Sequence, residues 1–233
     1  MDDHHLDIIR LAWARELGLG DSALRPAHTA RVDDDHNDLI HVLQLAEAAA
    51  VVGPQWFTQR TANEDTASLL EPTRLLELTK DHGGRLTSHT ELAFLPDYTD
   101  HTPAEQLLIS RERSDAMNVA RSCPPDDATV ADLSAKDHWF TALGDDHQPL
   151  ACAAYREFQG FVADLTVLTD PAQRRRGLAC GTVFLAAEDA LDAGLIPQLR
   201  IPSGHLGGAA IARALDFTVL GIHTTAQVQR RIV

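Results

Sequence analysis

The chain has 233 residues, with 20 Lys and Arg against 34 Asp and Glu, for a formal charge of −14. That length can bury a core without disulfides or a structural metal, as one large domain or two small ones. The acid surplus argues against coating a nucleic acid or an anionic membrane, since both need a basic face.

The surplus is uneven. Residues 1–100 carry 8 basic and 18 acidic side chains, the remainder 12 and 16. Solubility is the plain reading of this surplus, and a cationic substrate or partner the sharper one. Cys123, Cys152 and Cys180 show no metal-finger spacing, and their odd number disfavours a disulfide scaffold. Met1-Asp2-Asp3-His4-His5 lacks the charge and apolar run of a secretory leader. No apolar run reaches the ~18–20 residues of a membrane helix. The expected compartment is the cytoplasm.

Leu6, Ile9, Trp13 and Leu17 share one face of a 3.6-residue period, and Gly18 and Gly20 end that helix. An acidic loop from Asp33 to Asp38 precedes two short apolar runs, Leu39–Leu45 and Ala48–Val52, which read as strands. After Pro54 comes a polar helical stretch to Leu70, then a short helix opened by Pro72 and closed by Gly83-Gly84. Leu86–Leu95 reads as a strand, Ala104–Ala120 as a helix and Ala128–Ser134 as a shorter one. Three strands follow, His138–Leu143, Leu150–Phe158 and Phe161–Thr169, joined by the tight turns Gly144-Asp145-Asp146 and Gln159-Gly160 that antiparallel hairpins use. A helix over Gly177–Ala193, a strand over Gln198–Ile201, a helix over Leu206–Leu215 and one or two strands over Phe217–Val228 complete the order. The expected fold class is α+β: a mixed, mostly antiparallel central sheet flanked by helices, with residues 1–84 as an α/β extension and 85–233 as the main domain.

The most informative segment runs from Ala163 to Ala179: a strand, Pro171, a short loop, then a helix opening at Gly177. Backbone N–H groups at a helix N-terminus lack intrahelical partners, and the helix dipole adds positive charge there. Gly177 and Ala179 leave room for a diphosphate, and Arg174, Arg175 and Arg176 bring cations to an otherwise acidic chain.

With its strand order, Arg174-x-x-Gly177-x-Ala179 resembles the GCN5-related N-acetyltransferase (GNAT) family, whose Q/R-x-x-G-x-G/A motif binds the pyrophosphate of acetyl-coenzyme A. The resemblance covers residues 85–233, most closely 138–220. It implies an N-acetyltransferase in which a primary amine, on a small molecule or a peptide, attacks the thioester of acetyl-CoA directly. It implies that the strand ending at Thr169 splays from its neighbour. Backbone groups of Leu168 and Thr169 would then meet the pantetheine arm and thioester carbonyl, and the amides of Arg175, Arg176, Gly177, Leu178, Ala179 and Cys180 the diphosphate. A homodimer is compatible with it.

The last helix departs from the family pattern N-x-x-A-x-x-x-Y before G-F. Aligned on Phe217, it puts His205 at the Asn, Gly208 at the Ala, Ala212 at the Tyr and Asp216 at the Gly. The tyrosine that often protonates the leaving thiolate is therefore missing, and Tyr98 and Tyr155 are the only other tyrosines. This prompts an alternative, a non-catalytic acyl-CoA-binding or regulatory protein on the same fold. Candidate proton acceptors are Asp164 on the central strand, His205, whose imidazole titrates in a suitable range, and Glu157 on the preceding strand. Cys180 as a nucleophile lacks an ordered His or Asp partner. Asp33–Asp38 with His41 lacks a spacing that fixes metal geometry, so no metal is expected. Ser203-Gly204-His205-Leu206-Gly207-Gly208 leaves no room for the acidic residue of a dinucleotide fold.

Overall fold

A computed structural model describes residues 1–100 and 107–229 of the chain. Two compact units emerge: Met1–Leu92 with Ile201–His205 and Val219–Val233, and Ala93–Arg200 with Leu206–Thr218. The expectation placed a boundary between residues 84 and 85; here the first unit runs on to Leu92, and two later segments also belong to it.

In the first unit, α1 (Asp3–Glu16) is capped by the Asp2 carboxylate on the His5 N–H and buries Ile9, Ala12, Trp13 and Ala14. The strands are β1 (Thr29–Asp33), β2 (Leu39–Leu45), β3 (Ala48–Gly53), β4 (Arg85–Phe94) and β10 (Thr218–Gln227), in the order β1-β3-β2-β10-β4. β1 runs parallel to β3; β2 is antiparallel to both β3 and β10. Alternation divides the faces. Ile40 and Val42 of β2, with Ala226 of β10, join a core with Phe57, Leu69 and Leu75 from α2 (Gln55–Arg60), α3 (Thr66–Leu70) and α4 (Pro72–Thr79). On the other face His223 lies edge-on to Trp13 of α1, ring centroids 5.0 Å apart.

β1 was not foreseen, and the helical stretch after Pro54 is two helices. The acidic loop serves as local caps: Asp34 accepts from the His36 N–H at 3.0 Å and Asp35 from the Gln55 N–H at 2.9 Å.

The second unit contains β5 (Leu108–Ser110), α5 (Arg113–Ser122), α6 (Pro125–Ala131), β6 (His138–Leu143), β7 (Pro149–Phe158), β8 (Val162–Thr169), α7 (Leu178–Asp192), β9 (Ile196–Pro202) and α8 (Leu206–Ala214). Its strand order is β9-β8-β7-β6-β5. β5 to β8 are antiparallel, and β9 is parallel to β8. The helix expected over 104–120 is instead strand β5 followed by α5. Residues 101–106, which include its expected start, lie outside the described residues. Cys152, Ala154 and Leu168 face α5 and α6, burying Ala116, Val119 and Ala131. The opposite face packs on α7, whose Leu178 meets Ala142 and Ala151. The mixed α+β class, with a largely antiparallel sheet between helices, is as expected. Among the described residues, no helix is long and apolar enough to cross a membrane.

Candidate active site

β8 is the element on which the site is built. It pairs with β7 along its whole length, from Phe158↔Val162 to Ala151↔Thr169. Its pairing with β9 stops at Leu165↔Leu199, although β8 continues to Thr169. The stretch from Thr166 to Thr169 therefore has one edge without a strand partner. The Asp170 N–H donates to the Leu150 carbonyl at 2.9 Å, towards β7. Backbone groups alternate direction along a strand, so those of Leu168 point into the β7 ladder. Those of Val167 and Thr169 point to the open edge. The Thr169 carbonyl there accepts from Arg174 Nε and Cys123 Sγ, each at 3.4 Å.

The strand then turns through Pro171–Gln173, a single 3₁₀ turn whose cap is the Asp170 carboxylate on the Ala172 N–H at 2.8 Å. Arg175 and Gly177 both have left-handed backbones, with φ of 68° and 81°. A Cβ at Gly177 would meet no atom within 4 Å, so the space beside this turn is open. The first bond within α7 runs from the Gly181 N–H to the Gly177 carbonyl, at 3.0 Å. The helix thus supplies no carbonyl for the N–H groups ahead of Gly181, and Gly177 provides no side-chain cap. Arg174 is tied back to Asp127 of α6 at 2.8 Å, and Arg176 donates to Gln173. Arg175 is exposed and makes no ion pair among the described residues. Ala179 and Cys180 are half-buried and Leu178 is buried. Burial pushes the Cys180 thiol up, keeping it protonated at neutral pH, which does not suit a nucleophile.

Two of the three expected proton acceptors, Asp164 and Glu157, are parted by the sheet. Asp164 lies opposite Arg156 and Glu157 opposite Ala163, so Asp164 and Glu157 point to opposite faces of the sheet. Glu157 is exposed. Asp164 is buried, with Oδ1 accepting from Arg200 Nε at 3.0 Å and Gln198 Nε2 at 3.2 Å. Lys136 Nζ donates to its Oδ2 and to its backbone carbonyl, both at 2.9 Å. Burial works to raise the Asp164 pKa, but Arg200, Lys136 and the hydrogen bonds outweigh it and hold it below the usual carboxylate range. His205 is exposed on the turn before α8, its N–H donating to the Pro202 carbonyl at 2.9 Å.

Ala212, at the position of the missing tyrosine, is buried. Tyr98 donates to Asp192 and Tyr155 to Asp189, both at 2.6 Å, so both phenols are committed to α7. Burial and then the Asp189 bond push the Tyr155 phenol well above its ordinary range. Asp216 takes the left-handed conformation its place in the motif requires, with φ of 60°. Lys136, Arg156 and Arg200 escaped the sequence reading. Of these only Arg156 left a signal: the tight turn at Gln159-Gly160 fixes a hairpin register that sets it across from Asp164.

No protein-family model and no curated protein matches the chain. Solved structures of GNAT-family acetyltransferases are among those it is similar to. One, an acetyltransferase from Colwellia psychrerythraea, is 14% identical, with 66% of this chain and 61% of that one covered at a TM-score of 0.47. A GCN5-related N-acetyltransferase from Kribbella flavida is 18% identical, with 67% and 64% covered at a TM-score of 0.48. The chain thus spans less than two thirds of the length of either. A phosphinothricin acetyltransferase from Sinorhizobium meliloti, solved in complex with AcCoA, is 10% identical, with 54% and 90% covered at a TM-score of 0.39.

Proposed function

We propose that this chain is a GNAT-type acyltransferase that moves an acetyl group from acetyl-CoA to a primary amine. The observation that carries the reading is the open edge of β8 from Thr166 to Thr169, leading through a left-handed glycine into an uncapped α7. The pieces fit the donor. The first turn of α7 and Arg175 would hold its diphosphate, and the open space at Gly177 admits the phosphates to the backbone. Acetyl-CoA supplies an acyl carbon already activated as a thioester, with a leaving thiolate of pKa about 8.5 if it is like cysteine.

Thr169 rather than Leu168 offers its backbone N–H on the open edge, as a fixed donor where negative charge develops on the acyl oxygen. The amine nitrogen bonds to the acyl carbon, the carbon–sulfur bond breaks, and a proton from the amine balances the thiolate. Asp164 is given over to its cations, leaving Glu157 and His205 as exposed proton acceptors. A CoA-release rate whose pH profile is unaltered in His205→Ala leaves His205 out of that role. Cys123, Cys152 and Cys180, held as thiols, suit a reducing, cytoplasmic compartment.

Buried Ala212 and the two committed tyrosines favour one second reading, an acyl-CoA-binding protein without turnover. Acetyl-CoA is expected to raise the melting temperature, and an amine panel to release free CoA thiol. Stabilisation without release from any amine selects the binding protein, and neither effect defeats both readings.

A further inference from the structure

On the face of β8 opposite α7, a cleft of about 230 Å³ reaches from Val130 at the end of α6 to Leu165 and Thr166, where β9 leaves β8. Its floor is Asp164, and around that single carboxylate stand Lys136, Arg156 and Arg200. Lys136 and Arg200 bond it directly, at 2.9 and 3.0 Å. Arg156 approaches only to 3.8 Å, is 46% exposed, and makes no hydrogen bond among the described residues. Phe158 lies beneath the Arg200 guanidinium, 5.0 Å from ring centroid to the guanidinium carbon, and helps fix its plane.

The lining sets Lys136, Arg156 and Arg200 against two carboxylates, Asp164 and Asp132, which leaves one positive charge in surplus. Asp132, the other acidic residue on the cleft, accepts from the Ser134 hydroxyl at 2.7 Å. Burial lowers the Lys136 pKa against the pull of Asp164, and Arg156 and Arg200 add to the lowering. A fork of open N–H donors in such a cleft suits a planar or tetrahedral oxyanion. The acid surplus of the sequence suggested a cationic partner, and this cleft carries the reverse charge.

We propose that the cleft binds the anionic group, a carboxylate or a phosphate, of an acceptor amine whose nitrogen then lies at the parted edge of β8. This rests on the acetyltransferase reading above. It adds that the substrate class is an amine bearing an anion, with Arg156 as its binding residue.

The test pairs each amine with a neutral twin: amino acids beside their carboxamides, and phosphoethanolamine beside ethanolamine. CoA release is measured in the native protein and in Arg156→Ala. The anionic member of at least one pair is expected to lead its twin about tenfold or more in kcat/KM. Arg156→Ala should abolish that lead through KM, with the acetyl-CoA KM unchanged, and the kind of pair that responds separates carboxylate from phosphate. Equal turnover of the twins, preferred turnover of polyamines, or a lead that survives in Arg156→Ala overturns the proposal while leaving acetyl transfer standing. If no amine releases CoA, the transferase reading fails and thermal stabilisation by the same compounds decides the cleft. Stabilisation by anionic members that disappears in Arg156→Ala supports the anion site, and its absence overturns it.

Discussion

Asp164 sits mid-strand on β8 with Arg200 and Gln198 on one carboxylate oxygen and Lys136 on the other. A proton acceptor in catalysis has to exchange its proton with substrate and water, and this group is enclosed by donors. Its role is to keep neighbouring cations inside the protein. Asp164→Asn keeps the shape and removes the charge, leaving buried Lys136 uncompensated. We expect a loss of about 3–5 kcal/mol at neutral pH, the usual cost of breaking a buried pair from one side. The pH dependence has a definite sign. The folded carboxyl titrates below its unfolded value, so its stabilisation is present above an unfolded pKa of about 3.9 and is lost as pH falls through the folded pKa. Melting curves of native and Asp164→Asn protein should therefore converge in acid. A constant gap down to the lowest workable pH would refute the assignment. The sequence offered Asp164 as a base because strand position was visible and its partners were not. Arg156 was readable from the hairpin register, whereas Lys136 and Arg200 arrive from elsewhere in the chain.

β6, β7 and β8 were legible because each is a short apolar run bounded by a tight turn at Gly144-Asp145-Asp146 or Gln159-Gly160. They fall within a residue or two of the expected bounds. β1 went unseen because it has only five residues, and Val32 is 38% exposed, so no apolar stripe marks it. The helix expected over 104–120 overshot for a local reason. The Ser110 hydroxyl accepts from the Glu112 N–H at 3.1 Å, turning the chain before α5 begins. The parting of β8 from β9 has no sequence signature of its own and entered through the family resemblance; the register of the two strands displays it directly. The cradle at the start of α7 can be probed with an isosteric pair. Asn and Asp both tolerate the left-handed backbone at Gly177 better than other side chains, and they differ in charge alone. Acetyl-CoA affinity in Gly177→Asp is expected to be about tenfold below that of Gly177→Asn, because the carboxylate would face the diphosphate in the open space of the turn. Equal affinities, read by thermal shift or calorimetry, would remove α7 from the donor site.

At the scale of the whole molecule, the acid surplus measured over the full sequence did not foretell the local sign of charge. Three cations converge on Asp164, and three arginines precede Gly177, in a chain of net −14. Chain order was a similarly partial guide to domain structure. Residues 1–84 looked like an extension because no motif marked them, yet the end of the chain folds with them. β10 pairs with β2 from Gly221↔Leu45 to Gln227↔Leu39, and the Thr224 hydroxyl donates to the Leu70 carbonyl at 2.9 Å. Ala226 and Val228 are buried in a core whose other members, from Ile40 to Leu75, all precede residue 85. A fragment of residues 85–233 would expose those side chains and leave the β10 edge facing β2 unpaired, an invitation to aggregate. We therefore expect the fragment to be insoluble, or to bind hydrophobic dye and unfold without a cooperative transition. The full chain should melt cooperatively. A fragment that melts cooperatively and is stabilised by acetyl-CoA would show instead that residues 1–84 are dispensable to the fold, and that the pairing of β10 with β2 adds little to it.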